Sequence, residues 1–291
     1  MDTWRTAIVD AGPNHIRVRG HDVLELMRRA TFTDLIFLLH HERLPSQAER
    51  RLIDAVLIGS ADHGAGAPSC AAARLAASGN RQSPAAAIAA GVLTIGDEHG
   101  GAGSRCMELI AAGLDRAQRD GLSFDAAAAH LVDQAKSAGQ RLPGFGHRVH
   151  ATIDPRVDVL FTLAADSGLA GDGIRFVRAL EGAIRERLKP IPLNIDGALA
   201  AILFDLGLPS MVGKLLFIVG RVAGLSAEVL EEYTREQPMR ITIPVTYDGV
   251  PPLSDPGSPI LSEPVKESSS RGVGDFFTDS PAERTTRRDG E

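Results

Sequence analysis

The sequence predicts a mostly α-helical protein opened by one short β-hairpin. Aromatic residues make up only 4 % while Ala, Leu and Gly abound, a composition that favours closely packed helices over sheet. Helix-start signals recur along the chain, several of them Ser or Asp followed directly by Pro. One segment alone carries the strand–turn–strand pattern: Trp4–Asp10 and Ile16–Arg19 flank the turn cluster Ala11-Gly12-Pro13-Asn14.

From there the signals are helical. Asp22 can cap a segment holding Leu24, Leu26 and Met27, and Thr33 or Asp34 a second holding Leu35, Ile36, Leu38 and Leu39. Ser83-Pro84 starts a helix running to about Gly96. Ser123 opens another that Gly139 can close, and Asp154-Pro155 begins one that ends at Gly168. Asp172 leads a long helix with Ile174, Val177, Leu180, Ile184 and Leu188 at helical spacing. Two more fall near Gly197–Leu206 and Met211–Val222, followed by a separate one near Ala227–Arg235. From Pro251 the pattern stops: 17 of the last 41 residues are Pro, Ser or Gly, which predicts a disordered tail over 251–291.

Composition narrows the function classes. The 291 residues carry 37 acidic and 31 basic side chains, a net charge of −6. That balance argues against nucleic acid as the main partner. No apolar run approaches the roughly 20 residues of a membrane helix, and Met1–Arg5 lacks the basic-then-apolar pattern of a secretion signal. Cys70 and Cys106 form no CxxC pair, so neither a disulfide scaffold nor a zinc site is expected. A cytoplasmic protein is the resulting expectation.

Glycine, histidine and carboxylates gather in four inter-helix loops: Asp62–Pro68, Gly96–Gly103, Leu142–His150 with Asp154-Pro155-Arg156, and Pro192–Gly197. Glycines let the backbone approach a ligand, and a histidine or carboxylate there can reach it. Singly, each loop also has an ordinary reading. Gly-rich loops connect helices, lone histidines cap them, and Asp154 and Asp196 stand where an N-cap belongs. His147 and His150 follow a Gly/Pro stretch that does not suit a helical metal pair, and Gly100–Gly103 follows no strand, which a dinucleotide fingerprint requires.

The order of these motifs resembles the citrate synthase superfamily over about residues 4–250, and in its trimmed build the citryl-CoA lyase module of ATP-citrate lyase. Arg17–Asp22 and Leu38–Pro45 are similar to its opening segment, and Ala61-Asp62-His63 with Ala71–Arg74 to its substrate-histidine helix. Glu98–Ala102 is similar to the first catalytic loop. Gly144-Phe145-Gly146-His147-Arg148-Val149 with Asp154-Pro155-Arg156 is similar to the family signature, Asn194–Gly197 to the catalytic aspartate loop, and Gly220–Ala227 to the late arginine helix.

The resemblance implies a citrate-synthase-like two-domain helical fold, with residues 1–102 and 207–250 as a large domain and 103–206 as a small one. It implies carbon–carbon bond formation or cleavage between an acyl-CoA and an α-keto acid, acetyl-CoA and oxaloacetate above all. Asp196 would be the base, His99 the enol-stabilising donor and His147 the acid. His63, Arg156 and Arg221 would bind the keto acid, with Arg240 as candidate for an arginine from a partner subunit. Gly144, Phe145, Gly146 and Arg148 would meet coenzyme A, here a substrate; no bound cofactor or metal is implied. A homodimer or larger even assembly follows from the same resemblance. The chain departs from the pattern at Ala151, where a basic residue is usual, at Glu228, where histidine is usual, and in keeping His99 where the lyase module has an aromatic residue. These departures keep a second reading open, a non-catalytic paralogue that binds coenzyme A or an organic acid and regulates a partner.

Overall fold

The computed structural model describes residues 3–146 and 153–249. His147, Arg148, Ala151 and the 251–291 tail lie outside the described residues. Positions up to Thr242 form one compact unit. Ile243 onward forms a second, of which the described part, 243–249, is irregular.

The fold is mostly helical, with a small antiparallel sheet at the start. Strands β1 (Val9–Gly12) and β2 (His15–Val18) pair from Val9↔Val18 to Gly12↔His15 around Pro13-Asn14. The first strand thus runs through Gly12, inside the predicted turn cluster. A third strand, β3 (His21–Asp22), was not predicted and adds to β2.

Helix α1 (Val23–Arg29) is capped by Asp22 as predicted. Helix α2 (Phe32–His41) starts two residues before the predicted caps. Thr31 accepts the Asp34 N–H while the Asp34 carboxylate accepts that of Thr31, a reciprocal capping box. Thr33 is instead buried, with its hydroxyl donating to Asp54.

Helix α3 (Gln47–Ala61) was not predicted, although Ser46 and Glu49 form the same box at its start. Helices α4 (Pro68–Gly79) and α5 (Pro84–Leu93) follow, and then α6 (Ala102–Asp120), also unpredicted because no side chain caps it. Helix α7 (Phe124–Ser137) has Ser123 as its cap and α8 (Pro155–Asp166) has Asp154, both as read from sequence. Helix α9 (Asp172–Arg187) has Gly171 rather than Asp172 at its cap, and α10 (Ile195–Asp205) starts under Asn194, ahead of Gly197.

The two helices predicted over 211–235 are one, α11 (Met211–Arg235). Its glycines are packing sites. A Cβ at Gly220 would lie 2.9 Å from the Leu57 carbonyl oxygen, and one at Gly224 would clash with that of Ala61, both on α3. Close backbone approach repays a glycine inside a helix that costs about 1 kcal/mol in isolation.

One large apolar core joins α2, α3 and α6–α11, and a smaller cluster joins α4, α5 and α11. At the centre α10 is buried at Ile195 and continuously over Gly197–Leu203. The Asp205 carboxylate at its far end takes the N–H groups of Gly171 (2.8 Å), Gly173 (2.7 Å) and Ile174 (3.1 Å). It thereby caps α9 from another helix. Hydrogen bonds to a charged group contribute about 1.5–3 kcal/mol each, less when several share one acceptor. Asp205→Ala is therefore expected to lower the unfolding free energy by about 2–4 kcal/mol, read from urea denaturation with an unchanged m-value.

Candidate active site

The last turn of α3 leaves carbonyl groups without helical partners, as every helix end does. Two consecutive ones are taken by arginines from distant elements. The Arg156 Nη1 donates to the Gly59 oxygen at 3.0 Å, and the Arg221 Nε to the Ser60 oxygen at 2.9 Å. The negative end of a helix dipole suits both cations.

Arg221 is 2 % exposed, and no carboxylate is paired with it among the described residues. Its guanidinium lies 5.0 Å from the Phe217 ring centroid, and its Nη1 donates to the Ser69 Oγ at 3.1 Å. Ser69, in the first turn of α4, meets His99. The Ser69 N–H donates to the His99 Nε2 at 3.2 Å, and the Ser69 hydroxyl lies 2.9 Å from the same nitrogen. A nitrogen that accepts a backbone N–H carries no proton, so the His99 proton sits on Nδ1 and the ring is neutral. Phe217 packs its ring edge-on to His99 at 6.3 Å. Gly100, at φ +72°, is where it must be, because a Cβ there would overlap Phe217.

The Asp196 loop and the glycine loop before residue 147 are sewn together. Gly146 N–H donates to the Pro192 oxygen (2.8 Å), Asn194 N–H to the Gly144 oxygen (3.0 Å), and Asn194 Nδ2 to the Gly146 oxygen (2.7 Å). The approach is so close that a Cβ on Gly144 would sit 2.8 Å from both the Gly197 Cα and the Cys106 Sγ. Asn194 is the N-cap, its Oδ1 accepting the Gly197 N–H at 3.1 Å. Asp196 is therefore free of the capping duty that its position suggested.

Its Oδ1 is shut off from solvent and has no hydrogen-bond partner among the described residues. Burial raises Asp196 from an ordinary 3.8 to about 6, with Asp154 adding to the rise and Arg156 and Arg221 opposing it. Cys106, below it on α6, is pushed up to about 12 by burial and next by the Asp196 charge, and stays a thiol.

Asp154 does cap α8, and does more. Its carboxylate forks with Arg156 (Nε–Oδ1 2.9 Å, Nη2–Oδ2 2.7 Å). His63 lies half-buried just beyond the α3 cap, in a loop closed by Gly64 N–H on Asp62 Oδ1 (2.6 Å) and Ala67 N–H on the Gly64 oxygen (2.9 Å). Arg240 goes elsewhere. It pairs with Glu232 (Nη2–Oε2 2.6 Å) and Glu236 (3.0 Å), far along α11 from Arg221. Glu228 accepts Arg74 Nη1 at 2.5 Å, so its charge is already committed.

Asp62, Cys70 and Glu228 bring one ligand atom each within 4.8 Å of the others. Burial, and next the Asp62 charge, keep the Cys70 thiol protonated, which suits a hydrogen bond to Asp62 (3.5 Å) better than a metal.

The structure thus joins Ser69, His99 and Arg221 directly, and Asp154, Arg156 and Asp196 around the first turn of α10. Sequence reasoning missed Gly59, Ser60 and Ser69. The cue for Ser69 was its place just after Pro68, at a helix start where N–H groups are unpaired.

The family described as "Citrate synthase, C-terminal domain" matches residues 46–242. The citryl-CoA lyase of Hydrogenobacter thermophilus is similar in structure, with a TM-score of 0.77 and 33 % identity, covering 88 % of this chain and 98 % of that one. The citrate synthase of Haloferax volcanii is 29 % identical over 222 residues, 74 % of this chain and 55 % of its own. That of Helicobacter pylori is 29 % identical over 246 residues, 80 % and 54 % respectively. The chain spans about half the length of these curated relatives.

A carboxyl whose folded value is raised adds stability fully present below its unfolded value, lost as pH rises through the folded one. For Asp196 that window runs from about 3.8 to about 6. Asp196→Asn carries no such penalty. Its unfolding free energy relative to the unsubstituted chain is therefore expected to improve by roughly 1–3 kcal/mol between pH 3.5 and pH 8, measured by urea denaturation at both.

Proposed function

The chain belongs to the citrate synthase family, and we propose that it makes or cleaves the carbon–carbon bond between acetyl-CoA and oxaloacetate, as a citryl-CoA lyase or a citrate synthase. The observation that carries this reading is the combination of a serine-anchored His99, a buried Asp196 whose Oδ1 has no hydrogen-bond partner among the described residues, and two arginines held on adjacent carbonyls.

In the forming direction Asp196 takes a proton from the methyl group of the thioester. A carboxylate with a folded value of about 6 is still ionised at neutral pH and is a stronger base than an exposed one. The His99 Nδ1–H donates to the thioester oxygen as the enol forms, stabilising charge where it develops. The enol carbon attacks the keto carbon of oxaloacetate, and His147 gives its proton to the resulting alkoxide, leaving citryl-CoA. Cleavage reverses each transfer. A synthase adds water to the thioester, releasing citrate and the free thiol.

Arg156 and Arg221 hold the carboxylates of the keto acid in bidentate geometry, with His63 beside them. Gly144, Phe145, Gly146 and Arg148 line the approach of coenzyme A. The four loops separate if residues 103–206 move as a small domain against 1–102 and 207–250. Gly103 and Gly207 stand at the crossings, and closure would exclude water from the base. Two copies would complete each site with Arg240 of the partner subunit. That role requires Arg240 to exchange its own-chain partners Glu232 and Glu236. A cytoplasmic setting fits the substrates.

The assay is direct. Purified protein with citryl-CoA is expected to release oxaloacetate. With acetyl-CoA and oxaloacetate, free thiol and citrate mark a synthase, and their absence marks a lyase. Asp196→Ala is expected to lower turnover about 10²–10⁴-fold, and His99→Ala about 10²–10³-fold. Silence in both mixtures, with coenzyme A still bound in a calorimeter, would replace this reading with the regulatory one.

A further inference from the structure

Asp154 takes no part in the chemistry above, yet it is 1 % exposed. A buried carboxylate needs several partners to offset its desolvation. Its Oδ1 accepts from the Arg156 backbone N–H at 3.2 Å and from the Arg156 Nε at 2.9 Å. Its Oδ2 accepts from the Arg156 Nη2 at 2.7 Å and from the Ile195 N–H at 3.1 Å. One oxygen therefore ties a side chain of α8 to the first residue of α10, and Asp196 is the next residue along.

The donor count on Arg156 is informative. A guanidinium has five N–H groups. Nε and one of the Nη2 pair serve Asp154, and one of the Nη1 pair serves the Gly59 oxygen. One N–H remains on each Nη. The side chain is 21 % exposed, so the group is partly open, and guanidinium donors suit a carboxylate.

Among the described residues, the charged and titratable groups that act on Asp196 come from three elements: Arg156 and Asp154 on α8, Arg221 on α11, and the neutral Cys106 on α6. The two α8 charges act in opposite senses.

We propose that Asp154 is a positioning residue, which clamps Arg156 and the first turn of α10 into one unit, aims the two remaining Arg156 donors at an anionic ligand, and offsets the arginine charge felt by Asp196. The clamp stands on the geometry of the Asp154 hydrogen bonds, and the charge balance on the opposite signs of Asp154 and Arg156 at the first turn of α10; the identity of the anion, oxaloacetate, rests on the reading given under Proposed function.

Asp154→Asn keeps the volume and a good N-cap but turns an amide against the guanidinium and removes the charge. Arg156→Gln removes the opposite charge and leaves Asp154 in place. The probe is the side-chain carboxyl of Asp196, titrated by carbon-detected NMR in the full chain labelled at aspartate, with Asp196→Asn identifying the resonance. The midpoint is expected to fall by about one pH unit in Asp154→Asn and to rise by a similar amount in Arg156→Gln. An unmoved midpoint, or movement in the same direction in both, overturns the charge balance. Should Asp154→Asn not fold, Arg156→Gln decides it alone, since only a rise is compatible.

The positioning half is read by calorimetry with oxaloacetate. Losing the clamp is expected to weaken binding about tenfold although the site gains positive charge; tighter binding would overturn it. Absence of oxaloacetate binding by the unsubstituted chain would sink the substrate reading and leave the titration to judge the charge balance.

Discussion

Both arginines of the candidate site hang from the C-terminal end of one helix. The last turn of α3 offers the Gly59 and Ser60 carbonyls side by side, and each fixes one arginine. Those arginines come from positions 65 residues apart in sequence, on α8 and α11. A single backbone feature thereby sets the distance between two positive charges without spending a carboxylate on each. Arg221 in particular stays buried with carbonyl, hydroxyl and ring contacts instead of a counter-ion. A cation so placed is poised to favour an anion, because desolvation strengthens every charge interaction within reach.

The second requirement is close approach. Gly144 against Gly197, Gly100 against Phe217, and Gly213 against Gly103 all leave no room for a methyl group. The first contact brings the loop preceding residue 147 onto the aspartate loop. The second lets the His99 loop lie on α11, and the third packs α6 on α11 directly after that loop. Glycine is costly to order, and here each one removes a barrier between two segments that must meet.

Much of this was legible in the sequence, for identifiable reasons. Ser83, Ser123 and Asp154 announced their helices because a short polar side chain before a proline or an apolar repeat has few other uses. The four loops were found because Gly, His and Asp cluster where helical periodicity stops. What escaped notice was of a different kind. Two helices were expected over 211–235 where there is one, and Gly220 and Gly224 within it let α11 pass close to α3, a tertiary fact that no local propensity contains. Thr33 looked like a cap, but the neighbouring Thr31–Asp34 box left it to the core. The α3 carbonyls were invisible because backbone groups carry no sequence signal, and Ser69 had only its place after Pro68 to mark it. Arg240 shows the converse: its place in the chain suggested the site, and within its own chain Glu232 and Glu236 claim it.

The burial of α10 has a further meaning. Its middle residues are buried in the largest core cluster, and amides so placed exchange through large-scale opening rather than local fraying. Asp196 sits on the first turn of that helix. The carboxylate is thus carried on the first turn of a helix with a fully buried middle, while His99 rides on the connection between α5 and α6. A carboxylate so carried holds its position relative to the core, and adjustment falls to the loops around it.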